Sequence, residues 1–268
     1  MSSVDEFEKR FFTDFETDRG YLRAHYSRFF ETKRLFFADK LTSSQPLRVL
    51  DVGAHWLHQS MVWRADGHSV LAADIPATLA LRGVIELAKK NDVSLIVYDR
   101  LDTGNALAAV ASDSINVVLF AEILEHITFN PVAFWSEIYR VLAPKGRIVV
   151  TTPNYYWARG RAWDISRFRL RMGGGIPVHD ILHTPTYGPH WKEFALREVV
   201  AYFSMLSSDL VVTKADYVRD PRGLPIAKTF AERVSRRLES AHRVFYWGLH
   251  VEVQLKEKKA GIEITPHW

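Results

Sequence analysis

The sequence predicts an α/β fold built on a parallel sheet with helices on both faces. Between residues 48 and 152, five short apolar runs alternate with helical stretches at 57–66, 77–90 and 131–142. The runs have the length of buried strands and span residues 48–52, 68–73, 93–98, 115–120 and 147–152. Strands that alternate with helices of this length are typical of βαβ units, and these form parallel sheets.

An aromatic-rich helical region precedes the first predicted strand. Residues 5–40 carry Phe and Tyr side chains at roughly helical spacing, and the loop-forming segment 42–46 ends the region. We therefore divide the chain into a helical N-terminal segment, residues 1–44, and a main domain, residues 45–268.

The alternation of strands and helices is interrupted after the fifth strand. Residues 155–194 are rich in aromatic residues, arginine, glycine and histidine, which predicts a long loop with short helices over the carboxyl edge of the sheet. A helix at 195–204, a strand at 209–217, a helix at 226–245 and a strand at 250–255 then complete the fold.

Composition restricts the function classes. The 268 residues contain no cysteine, which excludes disulfides and thiolate metal sites, and no apolar run approaches the ~18 residues of a membrane span. The first residues lack the features of a secretory signal, so we expect a cytoplasmic protein. The net charge of +4 suits an anionic partner such as a nucleotide, a phosphorylated lipid carrier or a membrane surface, although it is also compatible with an ordinary solvated surface.

Residues 113–154 carry the most informative motif. A buried strand leads into Glu122, Glu125 and His126, an amphipathic helix follows, and a second buried strand ends in Thr-Thr-Pro-Asn. This arrangement resembles the class I S-adenosylmethionine (SAM) dependent methyltransferases. It is most similar to the small-molecule and glycan branch with a Glu-x-x-Glu-His motif, which includes ubiquinone-pathway O-methyltransferases and cell-envelope sugar methyltransferases. The resemblance implies a Rossmann-like sheet with an antiparallel last strand, a helical N-terminal lid and an acceptor-binding insertion at 155–194.

Two acidic residues follow predicted strands in the cofactor half. Asp51 and Gly53 end the first strand, and Asp74 ends the second, where a carboxylate can accept both ribose hydroxyls. The resemblance implies that Asp51 orders the loop near the methionine amine, that Gly53 lets the backbone approach the cofactor, and that Asp99 lies beside the adenine. The residues expected to bind SAM are Asp51, Gly53, Ala54, His55, Asp74, Ile75, Asp99, Arg100, Leu101, Ala121 and Glu122.

The first loop departs from the family pattern. Methyltransferases of this class have Gly-x-Gly-x-Gly, whereas this chain has Gly53-Ala54-His55-Trp56-Leu57. Glycines in such loops supply positive φ angles and space for the cofactor. Two consequences stay open at this point: His55 and Trp56 pack beside the cofactor, or the site binds SAM weakly.

The spacing of Glu122, Glu125 and His126 places all three on one face of a helical turn. His126 can act as the general base for a hydroxyl acceptor, with a carboxylate orienting it. Alternatively, the three residues bind a divalent cation, Mg²⁺ in some similar enzymes, that lowers the pKa of the acceptor hydroxyl. In a third interpretation, Glu125 and His126 only brace the neighbouring loop.

Further candidates lie outside this motif. The acceptor-side candidates are Tyr155, Tyr156, Arg159, His179, His183 and His190, and the loop arginines Arg161, Arg167, Arg169 and Arg171 can bind a phosphate or carboxylate. Residues 25–29 resemble a His-x-x-Arg-aromatic element of sugar methyltransferases, which either forms a lid or packs on the core. Residues 226–245 form a basic amphipathic helix, which we expect to pack on its own domain rather than on an anionic membrane.

We therefore expect a SAM-dependent methyltransferase that O-methylates a sugar, glycan or glycolipid precursor. The alternatives are a phenolic, quinone or natural-product acceptor and an inactive partner protein with the same fold, which only the altered first loop supports. A nicotinamide-dependent oxidoreductase is disfavoured because Gly-x-Gly-x-x-Gly is missing. Nucleic-acid methylation is disfavoured because no Asn/Asp-Pro-Pro-aromatic run follows the fourth strand. Peripheral membrane contact is a secondary expectation.

Overall fold

The computed structural model describes residues 3–38, 45–163, 176, 178–183, 188–221 and 228–266. Its seven-stranded sheet has the order β3-β2-β1-β4-β5-β7-β6. The strands are β1 Arg48–Val52, β2 Ser69–Asp74, β3 Val93–Val97, β4 Ile115–Ala121, β5 Leu142–Pro153, β6 Leu210–Val218 and β7 Gly248–Leu255. The first five pair in parallel, and β7 runs antiparallel to both β5 and β6. The predicted Rossmann-like architecture is therefore confirmed.

Nine α-helices are described in these parts of the chain. They are α1 Val4–Phe11, α2 Arg19–Phe37, α3 His58–Arg64, α4 Pro76–Leu79, α5 Arg82–Lys90, α6 Val132–Val141, α7 Val178–His183, α8 Leu196–Leu206 and α9 Phe230–Ala241. The helix predicted at 77–90 is divided into α4 and α5, and the helical region predicted at 5–40 consists of α1 and α2. None of the helices in the described ranges is long and apolar enough to cross a membrane.

Apolar residues cover both faces of the sheet. On one face, Phe134 and Trp135 of α6 pack with Phe203 of α8. On the other face, the N-terminal helices join Trp63 of α3 and Leu87 of α5 in a second core. Because successive strand residues point to opposite faces, each central strand contributes to both cores. The N-terminal helices are thus part of the folded domain, packed beside the first loop.

Candidate active site

The strand order places the first loop opposite the fourth-strand turn. The chain proceeds from β1 outward to β2 and β3, and then returns to β4 on the other side of β1. Ligands of open α/β sheets bind at such a switch point, beyond the carboxyl ends of the strands. Gly53 and Glu122 come directly after β1 and β4, and Asp74 is the last residue of β2.

The first loop keeps a glycine-type backbone although two of its glycines are replaced. Gly53 has φ of 72°, His55 of 49° and Leu57 of 63°. These are the three positions at which the family has glycine, and all three are in the left-handed region. An L-residue there costs about 1–2 kcal/mol, and histidine tolerates it better than leucine. The residue types at positions 55 and 57 therefore differ from the family pattern, but all three positions have the left-handed backbone that glycine favours.

The remaining glycine is required by a close contact. A Cβ atom built on Gly53 would lie 2.1 Å from Cδ1 of Ile123, which follows β4. The Gly53 amide also donates to the carbonyl of Ala73, at 2.8 Å, and the Ala54 amide donates to the same oxygen. The loop is therefore fixed between the ends of β2 and β4.

Two buried carboxylates hold this loop in place. Asp74 accepts hydrogen bonds from the backbone amides of His55 and Ile75, each at 2.7 Å. Asp51 accepts a hydrogen bond from the Ser60 hydroxyl at 2.6 Å. Burial raises the pKa of Asp51 to about 7, with a further contribution from the charge of Asp74. Burial also raises the pKa of Asp74, against the effect of its two amide donors.

The other proposed cofactor residues lie at the same edge. Asp99 and Arg100 are exposed after β3, and Arg100 forms an ion pair with Asp102. Leu101 is buried in the core. Ile75 follows Asp74, and Ala121 ends β4. The edge thus brings the sequence-predicted cofactor residues of four strands together.

A cleft of about 550 Å³ opens beside Glu122. The residues that form it come from α2, from the turn after β4, from the end of β5 and from the segments after β5 and before β7. Its aromatic lining is Tyr21, Trp157 and Trp247, and its titratable lining is His25, Arg28, Glu122, Glu125, His126, Arg159, His190 and Glu193. The predicted catalytic trio therefore lines one cleft, together with the N-terminal helix.

Glu122 is not on a helical turn with Glu125 and His126, so the predicted helical face is wrong. Its φ is 59°, and its amide donates to the carbonyl of Thr151 on β5. A short 3₁₀ turn begins only at Leu124. The Glu122 carboxylate instead lies 3.3 Å from the Arg28 guanidinium of α2.

Glu125 is fully buried beneath the cleft. Its Oε2 accepts a hydrogen bond from the Thr152 hydroxyl at 2.9 Å, whereas Oε1 is buried without a hydrogen-bond partner. Burial, reinforced by the charge of Glu122, raises the pKa of Glu125 well above its ordinary value.

The orientation of His126 is set by one hydrogen bond. Its Nδ1 lies 3.2 Å from the carbonyl oxygen of Pro189, and only an N–H can donate to a carbonyl. In the neutral ring, Nε2 therefore carries the lone pair. The nearest carboxylate oxygen, Oε1 of Glu125, is 4.0 Å away, beyond hydrogen-bonding distance. Burial lowers the pKa of His126, as does the nearby His190.

Three possible cation ligands lie close together: Glu125, His126 and His190. His190 therefore takes the place that was predicted for Glu122. One ligand atom each from Glu125, His126 and His190 lies within 4.8 Å of the others, and the rings of His126 and His190 are 4.9 Å apart. The backbone explains this arrangement, since the Trp191 amide donates to the Glu125 carbonyl at 2.6 Å. Any cation site here would therefore differ from the predicted set of Glu122, Glu125 and His126.

A buried carboxylate on α9 supports the far wall of the cleft. Oε1 of Glu239 accepts a hydrogen bond from the Trp157 indole N–H at 3.0 Å and lies 3.7 Å from Nε of Arg159. Glu239 has only 7% of its surface exposed. It therefore fixes both an aromatic wall and a positive charge of the cleft.

The acceptor-side candidates fall into three groups. Arg159 and His190 line the cleft. Tyr155, Tyr156, His179 and His183 are exposed outside that lining, and the two histidine rings stack on each other 4.3 Å apart. Arg167, Arg169, Arg171 and the side chain of Arg161 lie outside the described residues.

Sequence reasoning missed two residues of the cleft lining, Trp157 and Trp247, and the carboxylate of Glu239 that supports its wall. Trp157 and Trp247 are 90 residues apart in the chain, and Glu239 lies on a helix predicted to pack through its apolar side chains. No motif or spacing connects these positions. Only the antiparallel pairing of β5 with β7 brings Trp247 beside the end of β5.

A family comparison agrees with this architecture. Residues 22–215, most of the chain, match the family model described as a methyltransferase domain. The chain belongs to this methyltransferase family. The matched region extends from α2 through β6, so it includes the N-terminal helix that lines the cleft.

Solved structures show the same methyltransferase fold at low sequence identity. A chain of the complex between the Haloferax volcanii Trm112 methyltransferase activator and a putative methyltransferase is 17% identical, with a TM-score of 0.58, over 96% of this chain and 100% of that one. The Burkholderia thailandensis 1,6-didemethyltoxoflavin-N1-methyltransferase, solved with S-adenosylhomocysteine, is 12% identical, with a TM-score of 0.55, over 96% and 92%. A Mesorhizobium loti SAM-dependent methyltransferase is 17% identical, with a TM-score of 0.53, over 86% and 97%. No curated protein matches the sequence.

Proposed function

We propose that this methyltransferase uses SAM to O-methylate a sugar, glycan or glycolipid precursor, with His126 as the general base. The observation that carries the proposal is the fixed tautomer of His126. Its Nδ1–H donates to the carbonyl of Pro189, so Nε2 carries the lone pair of a ring that belongs to the cleft lining. In the reaction, the acceptor oxygen attacks the sulfonium methyl group, the carbon–sulfur bond breaks, and Nε2 takes the hydroxyl proton.

The first loop supports SAM as the methyl donor. Positive φ at residues 53, 55 and 57 is the backbone geometry that glycines supply in SAM-binding loops, and Asp74, the proposed ribose-binding acid, accepts a hydrogen bond from the His55 amide of this loop. The bound S-adenosylhomocysteine in the toxoflavin-pathway neighbour is in line with this cofactor. The same geometry argues against the inactive-partner alternative, because its only support was the loss of two glycines.

The composition of the cleft favours a polyhydroxylated acceptor. Indole and phenol rings line it together with charged side chains that can donate or accept several hydrogen bonds, among them Arg28, Arg159 and Glu193. Sugar rings present apolar faces for stacking and hydroxyl groups for such side chains. A phenolic or quinone acceptor offers fewer hydroxyl groups for such contacts. The natural-product alternative is therefore the second choice.

A divalent cation at Glu125, His126 and His190 is the competing mechanism. The unpartnered Oε1 of Glu125 and the closeness of the three donors favour such a site. The raised pKa of Glu125 opposes it, because the carboxyl group has to lose its proton before it binds a cation. Turnover that persists after exhaustive chelation would support the base mechanism, and loss of turnover that added Mg²⁺ restores would support the cation.

The decisive experiment separates cofactor binding from chemistry. Calorimetric titration with SAM should give micromolar binding for the wild type and for His126→Ala, and none for Asp74→Ala. With an acceptor found by screening mono- and oligosaccharides, His126→Ala should lower kcat about 10²–10⁴-fold. His179→Ala, which changes an exposed histidine outside the cleft lining, is the matched control and should retain full activity. Unchanged turnover in His126→Ala would refute the role of His126 without affecting the case for SAM.

A further inference from the structure

The outer face of α9 combines exposed apolar side chains with arginines. Phe230 is 74% exposed and Val234 is 38% exposed, and both lie on one stripe with Arg237 and Ala241 at helical spacing. Arg233 and Arg236 flank this stripe and are also exposed. The buried residue of the helix is the carboxylate Glu239. The expectation that the apolar side chains of this helix pack on their own domain is therefore wrong for Phe230 and Val234.

We infer that this face of α9 docks the enzyme on an anionic membrane surface. A helix that presents aromatic and aliphatic side chains between arginines fits the boundary between lipid head groups and acyl chains. The arginines complement the negative charge of anionic lipids, and the apolar side chains gain by leaving water. Without a membrane, the exposed ring of Phe230 stays in contact with water and gains no such stabilisation.

Exposed aromatic residues also lie in the turn that packs against α9. The Ser235 hydroxyl donates to the carbonyl of Ala158, so the turn after β5 lies against the helix. Trp163 is 48% exposed in that turn, and its ring lies 6.5 Å from the exposed ring of Tyr156. Tryptophan and tyrosine prefer the head-group region of bilayers because one end of each ring is polar.

Docking at this face would place the cleft about one helix diameter, ~10 Å, from the membrane surface. Glu239, on the inner side of α9, accepts a hydrogen bond from Trp157 and forms an ion pair with Arg159 of the cleft wall. The same helix thus carries the proposed lipid-facing stripe on one side and supports the acceptor cleft on the other. An acceptor anchored in a bilayer could reach the cleft along this wall.

Vesicle co-sedimentation of the full chain tests the inference. At low ionic strength the protein should sediment with vesicles of equal parts phosphatidylcholine and phosphatidylglycerol, and it should stay in solution with phosphatidylcholine alone. Raising the salt to about 1 M, where the screening length is ~3 Å, should release it. Arg233→Gln and Arg237→Gln should each weaken partitioning about fivefold, and Phe230→Ser about tenfold.

A matched pair on α5 controls for non-specific effects. Ile85 and Arg82 are also exposed, but they lie near the opposite edge of the sheet, so Ile85→Ser and Arg82→Gln should leave vesicle binding unchanged. Unchanged SAM binding in every variant shows that the fold is intact. Absence of binding to anionic vesicles, or equal losses from the α5 and α9 variants, would overturn the inference and leave the stripe as a surface for a protein partner.

Discussion

The left-handed backbone of Leu57 makes an unusual stability prediction. At an ordinary buried position, glycine is less stable than alanine by about 0.5–1 kcal/mol, because glycine loses more conformational freedom on folding. At Leu57, with φ of 63°, alanine retains the left-handed strain of about 1–2 kcal/mol and glycine does not. The order should therefore reverse, and Leu57→Gly should be about 1 kcal/mol more stable than Leu57→Ala.

Both substitutions remove the same packing. Leu57 is fully buried, so deleting its side chain should destabilise the protein by about 2–5 kcal/mol in either variant. The difference between the two variants isolates the backbone contribution, because the cavity is nearly the same. Urea unfolding of the two proteins, followed by circular dichroism, measures this difference directly.

Leu87 provides the control. It is 1% exposed in the interior of α5, where the backbone is helical. Leu87→Gly should therefore be about 1 kcal/mol less stable than Leu87→Ala, which is the opposite order. If glycine were also the less stable replacement at position 57, the left-handed loop and the argument for a preserved cofactor backbone would both be refuted.

Three further predictions concern protonation. Because burial lowers the pKa of His126, the neutral base persists to lower pH, and the acidic limb of kcat should lie below the value of about 6.5 for a free imidazole. The pKa of Asp51 is raised to about 7 in the folded protein, so the unfolded chain releases this proton first and stability falls as the pH rises from about 4 to 7. In urea unfolding, Asp51→Asn should therefore be more stable than the wild type at pH 8 and have no advantage at pH 4. Burial lowers the pKa of His58 to about 3, so between about pH 6.5 and 3 the unfolded chain binds a proton that the folded protein does not. His58→Gln should therefore lose less thermal stability than the wild type as the pH falls through that range.

The sheet could be predicted from the sequence because its signals are local. Each of the first five strands is a short apolar run between helices, and βαβ connection forces these strands into one parallel sheet. The acids at the strand ends then meet at one edge, so Asp51, Asp74 and Glu122 could be assigned to a site before their positions were known. Antiparallel β7 followed from family resemblance and not from any local pattern.

The geometry of the cleft could not be predicted in the same way, because contacts distant in sequence determine it. Glu122 leaves the expected helical face because the carbonyl of Thr151 binds its amide. His190 joins His126 because Trp191 donates to the carbonyl of Glu125. The role of glycine was also overstated, since the loop requires a left-handed backbone, and His55 and Leu57 adopt it under tertiary constraint.

Strained residues mark both ends of one chain of contacts across the site. His55, left-handed in the first loop, meets the ring of Tyr21 on α2 at 5.0 Å. The Tyr21 hydroxyl accepts a hydrogen bond from Arg28 at 3.2 Å, and Arg28 pairs with Glu122, the left-handed residue after β4. A glycine at position 55 could not make the first of these contacts, because it has no ring to offer Tyr21. The replacement of that glycine therefore connects the cofactor loop, through the N-terminal helix, to the turn that carries His126, and strain of this kind persists only where surrounding contacts hold it.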